Sequence, residues 1–175
     1  MDTFCIEKIV RKASLKTKFM GCFASDTLIV PTEYPSFLIT NTDCNHMNGT
    51  HWVCIYFPRF NSVEYFCSLG VPFYSYPLIC NYIRNIVGFD NVYFNLKHIQ
   101  SELSNTCGFH AIAFAIKRDL GISFNNIINN FTLNECLNDL IVVDYMLPLT
   151  KNMKCVNLDT IIGQCCKPGY KFCIA

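Results

Sequence analysis

Residues 107–121, CGFHAIAFAIKRDLG, constrain this chain more than any other stretch. They read as one apolar helix that begins at Cys107, with Thr106 as its N-cap. Gly121 stops it after Lys117 and Arg118 in the last turn. The fold must therefore accommodate an apolar helix whose first residue is a thiol. Gln100 stands seven residues upstream in QSELSNTC, so an amide and a thiol arrive together. A thiol nucleophile also needs a base. His51 in GTHWVCIYF opens an apolar β-like run, which presents its ring at the rim of a sheet.

The chemistry sets conditions that these residue types meet. An unperturbed thiol has a pKa of roughly 8.5, so few thiols are anionic at neutral pH without help. A helix N-terminus supplies unpaired N–H groups and partial positive charge, and an imidazolium within reach lowers the thiol pKa further. Gly108 lets the backbone pass close to a substrate carbonyl. The Cys107 N–H and the Gln100 amide together make a pair of oxyanion donors, and losing one such donor costs on the order of a hundredfold in rate.

The 175 residues suit one domain with a real core, residues 1–175, and no linker, repeat or low-complexity segment divides them. Composition is 51% hydrophobic and 15% charged, which excludes a disordered tail or a coiled coil. The net charge of +1 gives no overall case for nucleic acid or an anionic membrane. The one basic cluster, Lys8, Arg11, Lys12, Lys16 and Lys18, reads as a solvated face. Twelve cysteines are scattered through apolar runs in a chain too long to need stapling, so they read as reduced thiols. No pair has zinc-finger spacing, so neither a metal nor another cofactor is expected. The N-terminal stretch has no signal-peptide pattern and no apolar run reaches membrane-spanning length. The expectation is a soluble intracellular protein without a membrane partner.

In chain order, residues 3–12 form an amphipathic helix with Phe4, Ile6, Ile9 and Val10 near one face. FMGCFASDTLIV turns at Ala24 to Asp26, PSFLITNTD is a buried strand, and NTDCNHMNGT is a loop that delivers the chain to His51. HWVCIYF and VEYFCSL form an antiparallel hairpin joined by five residues, PRFNS, within a sheet covered on both faces. PLICNYIRNIVG is a helix ended by Gly88, and VYFNL is a strand. One or two more helices follow in SFNNIINNF and TLNECLNDLIVVDYM, and residues 150–175 form an unplaced polar tail with a Cys-Cys-Lys-Pro-Gly turn. His46 and His98 read as surface residues, and His110 as a packing residue. The aromatics of PFYSYP are core or cleft lining, with core the commoner role.

Taken alone, Cys107 is one of twelve thiols, and packing is the commoner role for such a residue. The order of motifs outweighs that. GTHWVCIYF, then VEYFCSLG, then QSELSNTCGFHAIAF resembles the adenain family of cysteine proteases, which serve adenovirus maturation and have relatives in Polinton/Maverick elements and virophages. The resemblance covers about residues 19 to 146. It implies an α+β, papain-like fold of adenain type, a central mixed β-sheet flanked by helices, with the nucleophile at the N-terminus of a buried helix. By it, His51 is the general base, Trp52 the aromatic that follows, Gln100 the oxyanion donor and Cys107 the nucleophile. The implied substrates are viral or capsid precursor proteins cleaved during particle maturation, in host cytoplasm or nucleus and in the virion. An activating peptide or DNA is a possible further partner by family analogy. No cysteine stands in GFDNVYFNLKHIQ, where the family's peptide-bonding cysteine falls, and neither Cys22 nor Cys80 matches its place.

More distant SUMO-deconjugating and other ubiquitin-like proteases share the order of residues, so an isopeptidase is the alternative within the same chemistry. One position departs from the pattern: Cys67 occupies the family's acid position. A neutral thiol orients and charges an imidazole poorly. Glu64 lies three residues earlier, so in a regular strand its side chain takes the opposite face. Three readings follow: a Cys–His pair that works without the acid, another polar group in its place, or a pseudoprotease that only binds. The first is favoured because nucleophile, base and amide all persist.

Overall fold

The structure, a computed structural model, describes residues 1–162. The Cys-Cys-Lys-Pro-Gly turn expected at 165–169 falls outside them. The sheet has five strands in the order β1 (Lys18–Phe23), β2 (Ser36–Asn41), β3 (Trp52–Arg59), β4 (Ser62–Phe66) and β5 (Val92–Phe94). β1 runs parallel to β2, β3 is antiparallel to β2 and β4, and β5 runs parallel to β4. The sheet is therefore mixed, and the fold is the expected α+β class. Both faces are covered. One carries α1 (Thr3–Ala13), α3 (Cys107–Asp119) and α5 (Glu135–Thr150); the other carries α2 (Pro77–Val87) and the 3-10 turn Phe73–Ser75. Two-sided burial explains why β3 and β4 carry apolar residues on both faces.

The apolar helix α3 is the centre of one core. Every residue of α3 from Cys107 to Ile116 is buried, and the Phe114 ring stacks on Phe66 of β4 at 4.6 Å. A side chain of that size contributes about 1.5–3 kcal/mol on full burial, which anchors the helix against the sheet. Its stop conforms to expectation, with Gly121 at φ +82° just past the end.

Several boundaries differ from the sequence expectation. In α1 the buried residues are Cys5, Ile6, Ile9 and Val10, while Phe4 is 69% exposed. At about 100° per residue, Phe4 falls outside the arc that the other four share. The β3–β4 connection is two residues rather than five, because Arg59 pairs with Ser62 and Asn61 takes the left-handed conformation at φ +56°. Asn tolerates that conformation, and the tight turn lengthens the hairpin. β1 is a full strand, where only an approach to a turn was expected. α5 runs past Met146 to Thr150 with Pro148 inside it.

The segment after α5 is not simply a polar tail. Met153 and Ile161 are buried, α6 (Leu158–Ile162) forms, and the Ile161 carbonyl accepts the Asn105 N–H at 2.7 Å, two residues before Cys107. Cys155 is disulfide-bonded to Cys5, with Cα atoms 6.0 Å apart. That corrects the expectation of uniformly reduced thiols: the buried face of α1 lies beside the segment that follows α5, a proximity no spacing in the sequence reveals. Cys22, Cys44, Cys54, Cys67, Cys80 and Cys107 are free thiols. All five residues of the basic cluster are exposed, with Arg11 near Glu7 and Lys18 near Glu33. No helix among the described residues is long and apolar enough to cross a membrane.

Candidate active site

His51 is the residue just before β3, and Cys107 is the first residue of α3, which packs against β3. The fold thus brings together residues 56 positions apart. His51, Gln100 and Cys107 line one cleft of about 330 Å³, with Leu69, Ser104 and Asn105 on its walls. Larger clefts lie beside the end of α5 and beside the β1–β2 turn, but neither pairs a thiol with an imidazole.

The resting electrostatics differ from the expectation. Burial pushes the Cys107 thiol up from its ordinary value, opposed by the backbone N–H groups of Trp52, Gly108 and Cys107 itself. Burial, with a smaller contribution from His110, lowers the His51 imidazole from 6.5 to about 4. At neutral pH both groups are therefore uncharged. The helix N-terminus does favour the thiolate as expected, but desolvation at 8% exposure outweighs it.

The His51 Nε2 faces the Cys67 sulfur at 3.3 Å, which leaves Nδ1 as the nitrogen available to Cys107. Cys67 follows the last residue of β4 and is fully buried, and burial raises its own thiol pKa. Tyr65, two residues earlier on the same face, sets its hydroxyl against that sulfur, outside ordinary hydrogen-bond geometry. Glu64 takes no part. It forms a two-point ion pair with Arg118 of α3, at 2.6 and 3.0 Å, on the other side of the strand.

Gln100 is buried with its amide fully oriented. Its Oε1 accepts from the Ser68 hydroxyl at 2.7 Å and its Nε2 donates to the Ser104 carbonyl at 3.1 Å, leaving one N–H free for an oxyanion. Ser68 also ties down the backbone, because its carbonyl accepts the N–H groups of Ile99 and Gln100. Asn95, just past the end of β5, clamps Cys67, accepting the Cys67 N–H at 3.1 Å and donating to its carbonyl at 2.7 Å. Gly70 must be glycine: it sits at φ +68°, and a Cβ there would meet the Leu96 carbonyl oxygen at 2.7 Å.

A second buried network holds the loop between Gln100 and Cys107. Asp139 of α5 accepts from the Thr106 hydroxyl at 2.6 Å and the Ser101 N–H at 3.1 Å, and pairs with His110 Nε2 at 2.8 Å. Its neighbour Asn138 donates to the Ile99 carbonyl at 3.0 Å. Thr106 is the N-cap by position, yet its side chain makes no capping bond because Asp139 takes it. His110 is buried as expected, but as a hydrogen-bonding partner of Asp139 rather than a simple packing residue. Sequence reasoning missed Ser68, Asn95, Asn138 and Asp139. The adjacent polar pair Asn138–Asp139 beside the apolar run Leu140–Val143 of α5 was the one available signal.

Of the other histidines, His46 is exposed and His98 lies 3.4 Å from Glu135. Within PFYSYP, Phe73 is core, packed among the rings of Tyr65 and Phe94, while Tyr74 is exposed.

A mixed sheet covered on both faces, with a thiol at the mouth of a buried helix and a histidine entering the neighbouring strand, is the fold of an α+β cysteine protease. Among solved structures the chain is similar to the pS273R protease of ASFV, with a TM-score of 0.53 and 19% identity over 81% of this chain and 65% of that one. It thus spans about two thirds of that protein's length, and at this identity the likeness is one of fold. It is also similar, at a TM-score of 0.44, to the C-terminal Ulp1 protease domain solved with Smt3, the yeast ortholog of SUMO (15% identity, covering 83% of this chain and 78% of that one). A central domain of an uncharacterized Legionella pneumophila protein also has a TM-score of 0.44, with 11% identity over 85% of this chain and 98% of that one. No protein-family model and no curated protein matches the chain.

Proposed function

We propose that this chain is a cysteine endopeptidase of the adenain-like kind, acting inside the host cell and the particle on viral or capsid precursor polypeptides. The observation that carries the catalytic part is the convergence of Cys107, His51 and an oriented Gln100 amide on one cleft. The substrate class rests on the order of His-Trp, Gln and Cys-Gly motifs along the chain.

The chemistry starts from a neutral pair. As substrate enters, His51 takes the Cys107 proton and the sulfur attacks the scissile carbonyl carbon. The Cys107 N–H and the free Gln100 N–H hold the oxyanion. The tetrahedral species collapses, the C–N bond breaks, and His51 returns the proton to the leaving amine. Water then hydrolyses the thioester with His51 again as base, restoring the thiol.

The test is covalent labelling with a peptide vinyl sulfone, followed by mapping of cleavage sites in a denatured-protein digest. Stoichiometric labelling that disappears in Cys107→Ala and drops steeply in His51→Ala is the expected result. Folded, reduced protein that takes no label would overturn the enzymatic reading in favour of a pseudoprotease. Cleavage confined to ubiquitin-like conjugates would favour the isopeptidase alternative.

A further inference from the structure

The loop that feeds His51 carries a cluster the protease chemistry does not use. Asp26 sits in the turn after β1, and Cys44 and His46 sit in the loop between β2 and β3. One ligating atom from each lies within 4.8 Å of the other two. We propose that Asp26, Cys44 and His46 form a zinc site that staples the β1–β2 turn to the loop leading into His51.

The two segments are already held in register. The Asn45 N–H donates to Asp26 Oδ1 at 2.9 Å, and the Ser25 N–H donates to the Asp43 carbonyl at 3.0 Å. Asn41 Oδ1 accepts the Asp43 N–H, and Gly49, at φ +78°, passes so close to the Asn41 amide that a Cβ would sit 2.6 Å from its nitrogen. The loop's two ends meet where the Thr42 N–H donates to the His51 carbonyl at 2.9 Å. A metal bound at Cys44 and His46 therefore restrains a closed loop whose end is the proposed base.

The donor set selects the ion. A thiolate, an imidazole and a carboxylate suit zinc, whereas calcium and magnesium want oxygen ligands, of which this cluster offers one side chain. Ligands around tetrahedral zinc, at about 2.0–2.3 Å from the metal, stand roughly 3.3–3.8 Å apart. The observed spacing closes to that by rotating side chains that are exposed or half-buried. Asp43, in the same loop, keeps a buried carboxylate oxygen without a hydrogen-bond partner among the described residues, which adds to the local demand for a cation. Three protein ligands leave a fourth position for water. Zinc displaces the Cys44 thiol proton, which passes to solvent.

The experiment is a cobalt and zinc titration of metal-free protein carrying Cys107→Ala, which removes the proposed nucleophile as a rival ligand. Cobalt should give a thiolate charge-transfer band at one equivalent, and zinc should displace it. Cys44→Ser should abolish the band, and His46→Ala should weaken zinc binding by about a hundredfold or more as measured against a chromophoric chelator, since losing even an outer-shell partner of a ligand costs about tenfold to a hundredfold. All three side chains are at least partly exposed, so these variants fold, which circular dichroism checks. Absence of a one-equivalent site, or the same affinity in Cys44→Ser, would overturn the proposal. The readout involves no turnover, so failure here is distinct from failure of the protease reading.

Discussion

His51 Nε2 faces the sulfur of Cys67 at 3.3 Å, and because burial raises the pKa of that thiol, Cys67 brings no negative charge to the imidazole. The imidazole is positioned but not electrostatically supported. Cys67→Asp should supply the support: a carboxylate there favours the imidazolium, each pKa unit being worth about 1.4 kcal/mol. The expected outcome is a gain of about tenfold or more in kcat/KM, with some loss of stability from burying a charge. Peptidase or probe-labelling rates of parent and variant decide this, and a folded variant with no gain would show that the missing acid is not limiting.

A neutral resting pair has its own pH signature. With His51 lowered to about 4 and the Cys107 thiol raised, alkylation of the free enzyme by a small electrophile should climb steadily into alkaline pH. A plateau between about pH 5 and 7 would instead indicate a thiolate–imidazolium pair.

The same His51 shift couples to stability. Its folded pKa, about 4, lies below the ordinary 6.5, so between those values the unfolded chain binds more protons. The contribution of neutral His51 is present above pH 6.5 and is lost as pH falls toward 4. It amounts to on the order of 3 kcal/mol. The urea midpoint of the parent should fall relative to that of His51→Phe as the pH drops through this range.

Ser68 orients Gln100, so Ser68→Ala should lower kcat by about tenfold with little change in KM, because the amide then no longer waits in position for the oxyanion. Gln100→Ala, which removes the donor itself, should cost about a hundredfold. Steady-state kinetics of both variants test the order of these effects; an equal loss would mean that Ser68 does more than aim the amide.

Asp139→Ala strips partners from Thr106, Ser101 and His110 at once, all buried. Destabilisation on the order of 3 kcal/mol is expected, since buried polar groups are left unpaired. Asp139→Asn, which keeps part of the network, should cost less, as denaturant unfolding would show.

Glu64 and Arg118 offer a cleaner structural control. Burial raises the Glu64 carboxyl above its ordinary range despite the adjacent guanidinium, so its desolvation outweighs the attraction. Removing one partner alone should cost about 2–4 kcal/mol, and Glu64→Leu with Arg118→Leu together less than the sum. Peptidase activity should survive in the double variant, because the pair lies on the face of β4 away from Cys67.

Much of this protein is legible locally. The apolar run from Cys107 and the glycine after its basic last turn define α3, and the apolar residues on both faces of β3 and β4 define a doubly covered hairpin. Such features depend on neighbours a few residues apart, which periodicity and turn chemistry report. Even there, Phe4 and the two-residue turn at Asn61 show that a helix's exact arc and a hairpin's length follow from packing and register rather than from composition.

The residue types at 51, 100 and 107, and their order, were determined by the sequence alone; their electrical state was not. Only the tertiary structure decided that burial outweighs the helix N-terminus at Cys107, that Cys67 rather than Glu64 meets His51, and that Ser68, Asn95 and Asp139 hold the site in place. The reason is physical: desolvation and hydrogen-bond partnership depend on which strand end meets which loop across 28 to 38 residues of chain, as at Asn95–Cys67 and Ser101–Asp139, and no local spacing encodes that meeting.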